Sequence, residues 1–411
     1  MAARPGGAQT DTIDTPAGNT PAATLEHVVR DEIDRLVPPG ARPALALSGG
    51  GDSTALLHFA RRRDPLVLVV DHGLREGSAE VARSAADMAR ALGLEAKVLR
   101  WERPATARIQ EAAREARYTL MGEACRAAGL SHLLVGHTRD DQRETLLMRR
   151  TRCADARAMD RVSHAPVWPG LRSVDLVRPM LGVERAELRR WLRGAGVPHH
   201  DDPSNSDPRF ERVRARARLA GNTAAPRQPD RRREAERLLS ELHRLGFGPG
   251  HIDAPADTDP ALLALALTCV SGSAPLVAAS RIQASGSARA QTVGGGRIVP
   301  TAQGYRLLRD PGGVLGRSGV AAIAEVELAA GETAIWDNRF EIAAAEPVTI
   351  RPLGTAWPDG VARPHIDIRR TLPGAWAGGE LVAAPGMEGG PATFRDLARE
   401  RLSGLLRARA I

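Results

Sequence analysis

The run Leu45-Ala46-Leu47-Ser48-Gly49-Gly50-Gly51-Asp52-Ser53-Thr54-Ala55-Leu56-Leu57 constrains this chain more than any other stretch. A short apolar segment, 44–47, enters it. Three glycines and two serines make its middle, and an apolar-periodic segment of helix formers leaves it. That order predicts a strand, a tight loop and a helix N-terminus. Such a loop turns backbone N–H groups toward one point, where the helix dipole favours an anion. Glycines let a phosphate come close with no Cβ in the way. Ser48 and Ser53 add hydroxyl donors, and Ser53 or Thr54 can serve the helix cap. The plainer reading of these residues is a glycine-rich turn with a polar cap. Two familiar phosphate loops are excluded. The Lys that follows the last glycine of a P-loop is missing, because the only Lys is Lys97, in a different predicted strand. The glycine spacing also differs from the dinucleotide fingerprint.

The chain around this loop alternates between two periods. Residues 1–22, rich in Gly, Ala, Thr and Pro, are expected to form a disordered tail. Leu25, Val28, Val29, Ile33 and Leu36 then recur at helical spacing until Pro38-Pro39-Gly40. Strands are predicted at 44–47, 66–70, 96–99, 132–135 and 174–177, and helices at 79–92, 107–128, 140–150 and 184–193. Buried-type strands alternating with helices imply an α/β fold, a doubly wound parallel sheet of five strands. Ligands of such sheets bind beyond the C-terminal strand ends. This unit is expected to span 23–220. A linker at 221–232 precedes an amphipathic helix at 233–245 and an apolar one at 261–270, so 221–290 is expected to be helical. The remainder, 291–411, is expected to be α+β. It has a hairpin at 294–299 and 305–310 and short strands at 325–328, 333–336, 340–342 and 348–351.

With 411 residues, the chain has room for two or three domains. Its net charge is +8, carried almost wholly by Arg. That suits a polyanionic partner or simply an Arg-rich style of composition. Aromatic residues make up only 3%, which argues against a platform that stacks single-stranded bases. Cys125, Cys153 and Cys269 are far apart and form no metal-binding pair, and so sparse a set fits a reducing compartment. Residues 1–20 lack the apolar core of a secretory signal, and the longest apolar run, around 261–270, is too short for a bilayer. A cytoplasmic protein with no membrane partner is expected.

Four further stretches carry chemistry. Asp71 and His72 end the second predicted strand beside the loop, where an adenine could meet backbone groups; a polar turn with an Asp cap is the alternative. Gly136-His137-Thr138-Arg139-Asp140-Asp141-Gln142-Arg143-Glu144-Thr145 ends the fourth strand. One carboxylate there is explained as a helix cap. His137, Asp140, Asp141 and Glu144 together are not. Clustered acids can hold Mg²⁺ or take a proton from an amine, with His137 as helper. Asp52 and Asp141 are the candidates for the metal. Arg114 and Arg117 lie one helical turn apart, suited to phosphate or to ion pairs with Glu111 and Glu115. Arg178 follows the fifth strand. An Arg-rich run including Arg212, Arg214, Arg216 and Arg218 follows Asp202-Pro203-Ser204-Asn205, and can be a solvated helix face or an RNA contact.

The pattern Ser-Gly-Gly-x-Asp-Ser resembles the pyrophosphate-binding loop of ATP pyrophosphatases. Taken in order, Ser48–Ser53, 71–75, 114–118, His137-x-x-Asp140-Asp141-x-x-Glu144-Thr145, Arg178-Pro179 and 202–205 resemble the tRNA(Ile)-lysidine synthetase family of the PP-loop superfamily. The likeness is good over about 41–219 and weaker beyond. It implies an adenine nucleotide alpha hydrolase-like sheet. It also implies an activity: ATP adenylates the C2 carbonyl oxygen of the wobble cytidine in tRNA(Ile) with a CAU anticodon. L-lysine then displaces AMP. Ser48, Gly49, Gly50, Gly51, Asp52, Ser53, Asp71, His72, Gly136 and Arg114 would serve ATP and Mg²⁺. Arg117, Arg178 and Arg212 would serve the substrate, and His137 and Asp141 would take the amine proton. Asp140 and Glu144 would orient the amine or the metal, and the C-terminal regions would grip the tRNA. A homodimer stays open. The family's Gly-rich segment is replaced here by 152–157, and its Arg-Asn-Arg by Arg212-Val213-Arg214. A PP-loop thiolating enzyme, which would carry paired cysteines, and a tRNA-binding relative without catalysis are the alternatives.

Overall fold

The computed structural model describes residues 22–73, 77–102, 109–152, 159, 161–164, 169–200, 211–219, 231–272, 276–282, 289–359 and 361–410. Its first half runs α1 (Ala22–Leu36), β1 (Ala44–Ala46), α2 (Gly51–Ala60), β2 (Leu66–Asp71), α3 (Ser78–Ala91), β3 (Ala96–Arg100), α4 (Ile109–Ala127), β4 (His132–Leu134), α5 (Arg139–Arg152), β5 (Val162–His164), β6 (Asp175–Val177), α6 (Arg185–Gly194) and α7 (Glu211–Leu219). The six strands form one sheet in the order β3-β2-β1-β4-β6-β5. The five expected strands are parallel to one another. The sixth, β5, pairs antiparallel with β6 at the edge. It was missed in sequence because three residues with a single buried apolar side chain make no period.

Strand alternation explains why both sheet faces are covered. Leu45, Leu47, Val67 and Val69 point to a core shared with α1, α2, α3 and α6. Ala44, Leu66 and Leu68 point the other way, to a core with Tyr118, Met121 and Cys125 of α4. A strand buried on both sides reads as a continuous apolar run, as 66–70 does. The chain winds outward from β1 to β2 and β3, then crosses to β4 on the other side of β1. The C-terminal ends of β1 and β4 therefore flank the point where the order reverses, the place where open sheets of this kind form their ligand crevice.

Behind α7 the chain forms α8 (Arg231–Glu241), β7 (Gly246–Gly248), β8 (His251–Pro255), α9 (Pro260–Val270), β9 (Gln291–Val293), β10 (Gly296–Thr301) and β11 (Gly304–Arg309). These strands make one sheet, β7-β8-β11-β10-β9. It crosses the expected division at 290/291, with β7 and β8 on one side and β9–β11 on the other. The hairpin is β10–β11. Gly294 and Gly295, expected inside its first strand, have φ of 57° and 79° and turn the chain from β9 into β10. Then follow β12 (Val326–Leu328), β13 (Thr333–Trp336), β14 (Phe340–Ala344), β15 (Val348–Pro352), α10 (Ile366–Arg369), β16 (Pro373–Ala377), β17 (Glu380–Ala383), β18 (Ala392–Asp396) and α11 (Ala398–Ala410). Two sheets, β12-β15-β16-β17 and β13-β14-β18, enclose a core around Trp336, Phe340 and Ile350. Leu402, Leu405 and Leu406 of α11 return to pack with α9. Glu341 of β14 receives Arg172 of the first unit at 2.7 Å and Arg395 at 2.6 Å, tying the two ends together. No helix among the described residues is long and apolar enough to cross a membrane.

Helix α4 touches the turn Pro169–Leu171 backbone to backbone. A Cβ on Gly122 would lie 2.1 Å from the Gly170 carbonyl oxygen. Gly122→Ala is therefore expected to destabilise the fold by about 2 kcal/mol, since the backbones must separate. Gly194→Ala, where a Cβ meets nothing within 4 Å, is expected to be neutral or stabilising by about 0.5 kcal/mol. Urea unfolding of both variants checks the pair.

Candidate active site

The phosphate-type loop closes on itself through its own hydroxyls. Ser53 Oγ donates to the Gly50 carbonyl at 2.9 Å and lies 3.0 Å from Ser48 Oγ. Ser53 Oγ also accepts from Ser48 N at 3.2 Å. Gly49 has φ of 80°, a left-handed conformation that a side chain would strain. A Cβ on Gly51 would stand 3.2 Å from His199 Cδ2 and 3.3 Å from Leu192 Cδ1. His200 N donates to the Gly49 carbonyl at 2.8 Å, and residues 50 and 200 form a bridge. The loop is thus braced from behind by 199–200, while the first turn of α2 keeps the backbone donors that any helix start leaves unpaired.

Strand β4 delivers the second motif against the first. A Cβ on Gly136 would sit 3.1 Å from Ser53 N and 3.2 Å from the Asp52 backbone. Helix α5 then begins with one half of a capping box. Thr138 precedes it, and Asp141 Oδ2, three residues on, accepts from Thr138 N and Oγ1, both at 2.8 Å. Thr138-x-x-Asp141 is the sequence signal that could have paired these two.

One guanidinium joins the two motifs. Arg185 donates Nε to Asp52 Oδ2 at 2.9 Å, Nη2 to Asp141 Oδ1 at 3.0 Å and Nη1 to Glu144 Oε1 at 3.2 Å. Its backbone N–H donates to Asp140 Oδ2 at 2.8 Å. Arg216 Nε adds a second donor to Glu144 Oε1 at 2.9 Å. Burial opposes the Arg185 charge, but Asp141, Asp52 and Glu144 outweigh it and raise its pKa. Burial, with Asp141 nearby, raises Asp52 despite Arg185. Burial also opposes the Asp141 charge, yet Arg185 and the Thr138 bonds hold that carboxyl below its ordinary value. Asp141 has both oxygens engaged. Glu144 is buried, and its Oε2 has no hydrogen-bond partner among the described residues.

His137 and Arg178 meet as well. Arg178 is 4% exposed and donates Nε to His137 Nδ1 at 3.2 Å and Nη1 to Ser163 Oγ at 2.7 Å. The remaining expected residues gather at the end of β2. Asp71 Oδ1 accepts from Gly73 N at 3.0 Å and Ser78 Oγ at 2.7 Å, so it caps its own loop. Arg117 Nε donates to His72 Nε2 at 3.1 Å. Arg114 lies over the Tyr118 ring, 5.5 Å from its centroid, apart from Arg117. Residues 202–205 and 153–158 and the Arg212 side chain lie outside the described residues. The two carboxylates expected to hold Mg²⁺ both face Arg185, and no group of three metal-ligating side chains converges among the described residues. They do not form a metal site by themselves. Arg185, Ser163, His199 and His200 were not singled out in sequence; no local pattern marks them.

Gly136→Ala is expected to push the strand end off the loop and weaken binding of an ATP analogue about tenfold, about 1.4 kcal/mol, with little change in unfolding midpoint. Calorimetric titration measures it. Burial, with Arg117 beside it, pushes His72 down to about 4. An unfolded His titrates near 6.5, so between these values the unfolded chain binds a proton that the folded chain refuses. Stability therefore falls as pH drops from about 6.5 to about 4, and His72→Gln is expected to lose less than wild type over that window in paired unfolding curves.

The family described as a PP-loop domain matches residues 23–223. The tRNA(Ile)-lysidine synthase of Caulobacter vibrioides is 36% identical over 336 residues, covering 77% of this chain and 78% of that protein. The enzyme of the same name from a Bradyrhizobium species is 43% identical over 212 residues, 48% of this chain and 58% of that protein. Among solved structures, the U34-tRNA thiolase NcsA from Methanococcus maripaludis aligns over 47% of this chain and 71% of its own, at 14% identity and a TM-score of 0.40. A relative 36% identical across more than three quarters of both sequences settles the family, and this chain belongs to the tRNA(Ile)-lysidine synthases.

Proposed function

We propose that this chain is an ATP-dependent ligase that joins L-lysine to C2 of the wobble cytidine of CAU-anticodon tRNA(Ile). The observation that carries this reading is the shared guanidinium: Asp52 beside the phosphate loop and Asp141 and Glu144 on the acidic helix meet on Arg185. The phosphate-type loop and the acidic helix are therefore neighbours. In the first step the cytidine O2 attacks the α-phosphorus and pyrophosphate leaves, held by Ser48, Ser53 and the N–H groups at the start of α2. In the second the lysine amine attacks C2, the C2–O2 bond breaks and AMP departs with that oxygen. The ammonium must lose a proton first. Glu144 suits that task, because its buried Oε2 has no hydrogen-bond partner among the described residues; Asp141, with both oxygens engaged by Thr138 and Arg185, suits orientation. Mg²⁺ enters, in this reading, on the ATP phosphates rather than in a cage of protein carboxylates.

The thiolating alternative has less support. Cys125 and Cys269 are buried and apart, and burial pushes the Cys125 thiol up to about 12, far from a reactive thiolate. The purified protein is expected to incorporate labelled lysine into CAU-anticodon tRNA(Ile) with ATP and Mg²⁺, releasing AMP and pyrophosphate. Tight tRNA binding without incorporation would favour a binding-only relative. Asp141→Asn is expected to keep ATP binding within about threefold and to lose about 10²-fold or more in transfer.

A further inference from the structure

His137 follows Gly136 at the end of β4, and its surroundings restrict what it can do. Guanidinium N–H groups donate and never accept. Arg178 Nε, 3.2 Å from Nδ1, therefore needs a lone pair on that nitrogen. A neutral imidazole with a lone pair on Nδ1 carries its proton on Nε2. Arg178 is in no position to turn away. It is buried, its Nη1 is tied to Ser163 Oγ at 2.7 Å, and its backbone N–H donates to the Arg161 carbonyl at 2.8 Å across the sheet edge. The antiparallel strand β5 places Ser163 opposite Leu176, two residues before Arg178. His137 is held from its own side too, through a backbone bond from its N–H to the Val135 carbonyl at 3.0 Å.

We infer that Arg178 is a positioning residue that holds His137 as its Nε2–H tautomer, so that the ring donates a hydrogen bond to a nucleotide phosphate instead of taking the lysine proton. The identity of the accepting oxygen rests on the ligase reading; the tautomer does not. The acceptor follows from place: Gly136, next in chain, packs against Ser53 N and the Asp52 backbone, where the helix start seats phosphate. A ring with its only lone pair turned to Arg178 has nothing with which to accept a proton from an amine. The proton then falls to the carboxylates of α5. Arg178, expected from sequence to serve the substrate, acts through His137 instead.

Two measurements test this. Nitrogen-15 NMR of the nucleotide-free protein, with His137 assigned by its loss in His137→Gln, is expected to show an unprotonated Nδ1 and a protonated Nε2 at pH 7.5 or so. In Arg178→Met the preference is expected to relax toward a mixture, and in Arg178→Lys to persist. A protonated Nδ1 in wild type overturns the inference. In lysine incorporation, His137→Ala is expected to lose about 10²–10³ in kcat, as for one donor removed from an oxyanion. His137→Gln, whose amide N–H reaches the Nε2 position, is expected to recover most of that loss. Equal losses in Ala and Gln variants that bind tRNA like wild type would also overturn it. Should wild type incorporate no lysine, the ligase reading fails, while the NMR result still decides the tautomer.

Discussion

The site depends on one buried cation. Arg185 faces Asp52, Asp141 and Glu144 at once, each within about 3.2 Å, and all four side chains are largely withdrawn from water. Three carboxylates this close would repel strongly, and burial would drive some of them to the neutral form. A guanidinium with five donors in a fixed fork can satisfy several oxygens together, which the point charge of a Lys cannot. A buried pair of this kind is poor evidence for stability in itself, because desolvation offsets much of the attraction. Its consequence is geometric. It fixes the start of α2, the first turn of α5 and the start of α6 relative to one another.

The sheet makes that meeting possible. Because β1 lies between β2 and β4, the loops after β1 and β4 face each other over a single crevice. Gly136 allows contact at backbone distance, and the segment at 199–200 closes the loop from the other side. A nucleotide laid on the loop would lie within reach of His137 and the acids of α5. The end of β2 carries a second polar pair, His72 with Arg117, while Asp71 is spent on holding its own turn.

Away from the crevice the chain relies on buried arginines of a different sort. Arg339, 1% exposed, donates to Asp337 at 2.7 Å and lies over Trp336 and Phe340. Asp337 also receives Arg309 of the five-stranded sheet at 3.1 Å, and Arg401 of α11 donates to the Asn338 carbonyl at 2.9 Å. These bonds lock the five-stranded sheet to the two sheets that follow it. These arginines are structural rather than a surface offered to a polyanion.

What the sequence determined by itself was local. The glycine loop, the apolar runs of β2 and β4, the helix starts and the acidic motif are each set within ten residues by periodicity, φ preference and capping chemistry, and they stand where expected. The family resemblance rested on these same short motifs. The tertiary structure decided the partners. Asp52 and Arg185 are 133 residues apart, Gly49 and His200 similarly distant, and Ser163 reaches Arg178 only because a three-residue edge strand runs antiparallel. Asp52 and Asp141, named together in sequence, share Arg185, and Arg178 stands beside His137. Charge pairing in a low-dielectric interior depends on distances of a few ångströms, and those distances are set by the winding of the sheet, which no window of sequence contains.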